Sequence, residues 1–141
     1  MRGAMHTPAK SMSAPLTVAK AYPGTTRHIG AVRSDLRDLL ADCPSADDVI
    51  LCASELATNA VRHSRSGLRG GMFTMHVTVI PGSCIRVHVQ DAGGPWTPAL
   101  DDPDRHHGLD IVEALAVEWA IEGGDNGRIA RAVLSWTPLS E

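Results

Sequence analysis

The chain has 141 residues, a net charge of −3 with histidine neutral, and a hydrophobic fraction of 43%. That size suits one domain with one real core, and the composition excludes a disordered chain. The acidic balance argues against direct nucleic-acid binding, and no apolar run approaches the ~20 residues of a membrane span.

Met1 to Pro15 is small and polar, carries Arg2, His6 and Lys10, and lacks the apolar stretch of a secretory signal. It reads as a flexible N-terminal segment before a single domain over residues 16–141. Leu16 to Tyr22 is a predicted strand, closed by Pro23-Gly24. Ile29, Val32, Leu36 and Leu39 then recur at helical spacing, which predicts a helix of ~15 residues ending near Cys43-Pro44. Ser45, with Asp48 three residues later, resembles a capping box and starts a second helix. Val49, Ala53, Leu56 and Ala60 form its buried stripe. Glu55 and Asn59 lie about 80–120° from the centre of that stripe, on its flank.

Gly67, Gly70 and Gly71 end the helical region, and the periodicity changes to two. Phe73, Met75, Val77 and Val79 form one face of a strand; Ile85, Val87 and Val89 form one face of its hairpin partner. Gly93 to Asp104, with Pro95, Pro98 and Pro103, reads as loop. Gly108 to Ala116 is a predicted short helix. Val117, Trp119 and Ile121 alternate into a strand, Asn126-Gly127 turns it, and Ile129 to Trp136 closes the sheet. The order predicts an α+β two-layer sandwich: a mixed, mostly antiparallel sheet covered on one face by helices.

Three short patterns carry chemistry. Glu55 and Asn59 sit one helical turn apart and share a face. They offer a base and a neutral oxygen ligand for a hard cation, a pair suited to phosphate chemistry with magnesium. Asp91, at a strand end before Gly93 and Gly94, can accept a hydrogen bond from an exocyclic amine such as that of adenine. The glycines let a ligand approach the backbone. Gly108 opens a helix whose free N–H groups suit a phosphate.

Plainer readings stand beside these. Glu55 and Asn59 fit an ordinary helix edge, and Asp-x-Gly-Gly fits an ordinary turn. Arg62 is a solvated charge or a phosphate contact, and His63 is a helix-end cap. His76 and His88 fall on the polar faces of the hairpin. His106 and His107, adjacent and without further ligands, make a poor metal site. Cys43, Cys52 and Cys84 fit no zinc spacing and suit a reducing cytoplasmic compartment.

In combination and order these motifs resemble the GHKL-type (Bergerat-fold) histidine-kinase-like ATPases. Within them the chain is most similar to the small anti-sigma factor, serine-protein-kinase type regulators, from about Leu16 to Trp136. The resemblance implies ATP and Mg²⁺ as cofactors. It implies that Glu55 is the general base, Asn59 the magnesium ligand and Asp91 the partner of the adenine amine. It also implies that Gly93 lines the adenine pocket, that Pro95 to Arg105 is an ATP lid, and that Gly108 and Leu109 meet the phosphates. Arg62 and His107 are candidate nucleotide contacts beside them. Two positions depart from the family: His106-His107-Gly108 replaces a Gly-basic-Gly turn, and Ile129 stands where a threonine approaches adenine, after a retained basic residue, Arg128. The implied partners are an anti-sigma factor antagonist protein, phosphorylated on serine, a sigma factor, and a second copy in a homodimer. The alternative is a catalytically weak or inactive nucleotide-sensing module that sequesters a partner.

Overall fold

The computed structural model describes residues 14–94 and 103–139, with the backbone alone for 103–108. The predicted N-terminal segment before residue 14, and most of the predicted lid, lie outside the described residues. The elements run β1 (Leu16–Pro23), α1 (Thr26–Leu39), α2 (Ala46–His63), a 3₁₀ turn (Arg65–Gly67), β2 (Met72–Ile80), β3 (Cys84–Asp91), α3 (Pro103–Leu115), β4 (Glu118–Gly124) and β5 (Gly127–Ser135). The strands lie in the order β1-β2-β3-β5-β4, and each described pairing is antiparallel. The architecture is the α+β two-layer sandwich expected from the order of elements.

Strand alternation sets which face the helices cover. Phe73, Met75, Val77 and Val79 of β2, Ile85, Val87 and Val89 of β3, and Ala130, Ala132 and Leu134 of β5 are all buried. Their neighbours on the other face are half-buried or exposed. Helix α2 is the central helix of the covering layer, in contact with α1, α3, β2, β3 and β5. Small residues line this packing: Ala53, Ala57 and Ala60 on α2 and Ala130 and Ala132 on β5 are all buried, and α2 contacts β5. Larger buried side chains, notably Phe73, Leu56 and Val112, complete the core. Burying each such large residue contributes about 1.5–3 kcal/mol.

Two expectations about helix starts need correction. Ser45 does precede α2, but its side chain makes no capping bond. Its hydroxyl instead donates to the Ser135 carbonyl at 2.7 Å. The reason is burial: Ser45 is 2% exposed against the end of β5, where its own hydroxyl must find a partner. Helix α3 begins at Pro103, five residues before Gly108. Proline suits the first helical position because its fixed φ is helical and its missing N–H is not needed there. Asp104 then stands where an acidic residue favours the helix dipole. Gly108 is therefore inside the helix and does not open it. Among the described residues no helix is long and apolar enough to cross a membrane.

Candidate functional site

Helix α2 presents its flanks to different neighbours. On one, Ser54 receives a hydrogen bond from Arg33 Nε of α1 at 3.0 Å. Glu55 and Asn59 fall on the opposite flank, turned towards α3 by the helical period. Both are half-buried, whereas Arg62, one turn beyond, is exposed. Cys52 belongs to the same flank. Burial, followed by the negative charges of Asp48 and Glu55, pushes its thiol up to about 12. Cys52 is thus held as a buried, protonated thiol.

The C-terminus of α2 meets the end of β3 and the β4–β5 turn in a seam of hydrogen bonds. Arg65 N donates to the Gly93 carbonyl at 2.8 Å. Ala92 N donates to Ser66 Oγ at 2.9 Å. Ser66 is fully buried, and its own N–H donates to Ser64 Oγ at 2.9 Å. Arg65 Nη1 reaches the Asp125 carbonyl at 2.6 Å. These bonds fix the backbone just past Asp91 relative to the helix that carries Glu55 and Asn59.

Asp91 lies at the floor of this seam with a side chain 8% exposed. Its Oδ1 accepts from Gly93 N at 2.7 Å, the local turn that Asp favours. The same Oδ1 lies 3.5 Å from Nε of Arg128, whose side chain is 4% exposed. Arg128 also donates through Nη2 to the His63 carbonyl. That carbonyl is one of the acceptors a helix leaves unsatisfied at its C-terminus. His63 closes α2 as expected, and the cation that serves this helix end comes from β5.

Gly93 has φ +75°, and a Cβ there would stand 2.4 Å from both Gly124 O and Gly127 N. Its lack of a side chain serves the close approach of the β4–β5 turn. Ile129 does not face this corner. It pairs with Gln90 of β3 and is 37% exposed on the open face of the sheet. Arg128 and Ala130, both buried, are the β5 residues on the covered face. The position expected to lose a polar contact at Ile129 is therefore held by Arg128. Leu109 is half-buried in α3. His107 and Gly108 lie in the second turn of that helix, and their N–H groups are not at its free start.

Elsewhere, His76 and His88 are directly opposite each other on β2 and β3, both half-buried on the open face. Ser64, Ser66 and Arg128 were not singled out as site residues by sequence. A Ser-Arg-Ser-Gly run directly after a helix was the available signal for the first two.

A central helix with a half-buried acid–amide flank is thus joined at its end to a strand-end carboxylate in an α+β fold. A model of the histidine kinase-like ATPase domain family matches residues 22–134. The chain belongs to this family, and membership implies ATP as the ligand. Among solved structures it is similar to the RsbU and RsbW domains of Rv1364c from Mycobacterium tuberculosis. That match has a TM-score of 0.65 and 24% identity over 91% of this chain and 34% of that one. The chain spans about a third of the length of that protein, and the likeness bears on the fold. It is also similar to the histidine kinase domain of a blue-light activated histidine kinase from Erythrobacter litoralis. There the TM-score is 0.49, with 21% identity over 77% of this chain and 59% of that one. No curated protein matches significantly.

Proposed function

We propose that this chain is an ATP-binding regulatory kinase. It transfers the γ-phosphate of ATP to a serine of an antagonist protein, and it sequesters a sigma factor or similar target when that antagonist is absent. Residues 16–141 act as the working domain, in the cytoplasm. The observation that carries the reading is the shared flank of α2: Glu55 and Asn59 are both half-buried there. They stand upstream of the helix end that Arg128 ties to Asp91.

The residues fit the nucleotide and its metal. Asp91 commits Oδ1 to Gly93 and Arg128, which leaves Oδ2 for the adenine amine. Asn59 offers a neutral oxygen. The described residues contain no group of three or more metal-ligating side chains. Magnesium needs no such group, because it binds one or two protein oxygens and completes its shell with water and phosphate. Bound magnesium would neutralise phosphate charge and hold the γ-phosphoryl group for in-line attack. Glu55 orients the attacking serine hydroxyl and accepts its proton. Arg62, exposed one turn on, adds positive charge beside the phosphates.

Among the described residues of α3 the free N–H groups at the helix start belong to residues 104 and 105. Contact of His107, Gly108 and Leu109 with phosphate then requires the first turns of α3 to open. Glycine inside a helix costs about 1 kcal/mol relative to alanine, so Gly108 favours that opening.

The continuous α3 helix supports a second reading, a nucleotide-sensing module without transferase activity that holds its partner. Calorimetric titration with Mg-ATP on the wild type, Asn59→Ala and Asp91→Asn tests binding. Transfer of ³²P from γ-labelled ATP to a serine-bearing antagonist tests catalysis. Glu55→Ala should abolish transfer and keep ATP binding within about threefold. Transfer by Glu55→Ala at the wild-type rate would remove Glu55 as the base. Tight binding without transfer by the wild type would select the second reading.

A further inference from the structure

The geometry points to Arg128 as a positioning residue for adenine recognition. From β5 its guanidinium holds one oxygen of Asp91, turns the other towards the exocyclic amine of the base, and anchors the end of the helix that bears Glu55 and Asn59. The inference rests on the ATP reading above and deepens it.

Asp91 and Arg128 are direct cross-strand partners at the end of the β3–β5 pairing. Cross-strand partners on one face have Cβ atoms about 5 Å apart, so the guanidinium reaches the carboxylate without leaving its strand. Both side chains are more than nine-tenths buried. A buried carboxylate with a single donor turns about its own χ2, a broad torsion. Here two donors from different directions meet the same atom: the Gly93 N–H at 2.7 Å and Arg128 Nε at 3.5 Å. Oδ1 is thereby fixed and Oδ2 is given one direction.

The second end of the fork serves a different element. Arg128 Nη2 donates to the His63 carbonyl, the last residue of α2. Asn59 lies one turn upstream, at a rise of about 6 Å along the helix. One rigid, planar cation therefore ties the base-reading carboxylate to the helix that would carry the metal ligand. Lysine cannot reproduce this, because it donates from a single point and not from a fork.

The test compares ATP with purine riboside triphosphate, which lacks the 6-amino group and keeps the triphosphate. Affinities are measured by calorimetry with magnesium on the full chain. The wild type should prefer ATP by tenfold or more. Arg128→Met should lose most of that preference, down to threefold or less, whatever it loses in affinity for both nucleotides together. Arg128→Lys, which keeps the buried charge, should lose preference in the same direction, and it carries the test if the methionine variant fails to fold. Full retention of the wild-type ratio in a folded variant overturns the inference and leaves the ATP reading intact. A wild type that binds neither nucleotide, or binds both equally, overturns the ATP reading of Asp91 and this inference with it.

Discussion

Gly93→Ala separates two reasons for a glycine at the site. If the glycine exists only to let a base approach, alanine lowers nucleotide affinity and leaves the free protein unchanged. The structure gives the opposite order of effects. The added Cβ would stand 2.4 Å from Gly124 O, 2.4 Å from Gly127 N and 2.7 Å from Asp125 O. All are backbone atoms of the β4–β5 turn, with no flexible side-chain end to move aside. The residue also sits at φ +75°, a left-handed conformation costing an L-residue about 1–2 kcal/mol. Forcing a methyl group into a filled space costs about 1–3 kcal/mol more. The sum is on the order of 2–5 kcal/mol. For a chain of this size each kcal/mol moves Tm by about 3–4 °C, so the midpoint should fall by roughly 10 °C. Thermal unfolding followed by circular dichroism, without nucleotide, reads this directly. Gly94→Ala is the control: its Cβ would meet Arg65 Cγ at 3.6 Å, Arg65 N at 3.7 Å and Ser64 Cα at 4.0 Å, all ordinary contacts, so it should cost backbone strain alone and fall by less. A Gly93→Ala variant that melts within about 2 °C of the wild type and loses only Mg-ATP binding would refute the reasoning.

Three further outcomes are expected. Gly108→Ala should raise the nucleotide-free Tm, because alanine is favoured over glycine by about 1 kcal/mol inside a helix, and should weaken Mg-ATP binding severalfold; an unchanged or tighter calorimetric Kd would remove the need for α3 to open. Ser45→Ala should cost about 1 kcal/mol in urea unfolding, because it removes the donor to the part-buried Ser135 carbonyl, whereas Asp48→Ala should cost less than about 0.5 kcal/mol; equal losses would restore the capping box. Burial, then Arg131, His76 and Arg86, hold the His88 imidazole below its ordinary value, so the fold favours the neutral ring. Stability should be full above pH ~6.5, decline as pH falls from there towards the lowered folded value, and level off below it. His88→Asn should flatten that decline in the urea midpoint, and an unchanged slope would assign it to another group.

The fold was legible because its signals are local. Alternation in Phe73–Val79 and Ile85–Val89 needs only neighbouring residues, and these are the buried positions of β2 and β3. The i, i+3, i+4 spacing of Val49, Ala53, Leu56 and Ala60 gave the buried stripe of α2, and with it the flank of Glu55 and Asn59. The errors fall where a local signal had a distant competitor. Ser45 and Asp48 have the spacing of a cap, but the Ser135 carbonyl lies ninety residues on in sequence and takes the hydroxyl. Pro103 read as loop by association with Pro95 and Pro98, although a lone proline followed by Asp104 is also a helix start.

Arg128 shows the deeper limit. Side chains in a strand alternate, so a one-residue error in register moves a residue to the other side of the sheet. Comparison of motifs put Ile129 beside the adenine. The Gln90–Ile129 and Asp91–Arg128 pairings put Ile129 on the open face and Arg128 opposite the carboxylate. Periodicity alone did not choose, because the closing strand carries apolar side chains on both faces: Val133 with Ile129 on one, Ala130, Ala132 and Leu134 on the other. What decides is the partner strand. Val89 is fully buried and Asp91 is two residues on, so Asp91 must share its face. Whichever β5 residue pairs with Asp91 then faces the helices too. A buried carboxylate in that place tolerates a guanidinium far better than an isoleucine, because an unpaired buried charge is strongly destabilising. The register that pairs Asp91 with Arg128 is thus the one the charges themselves select.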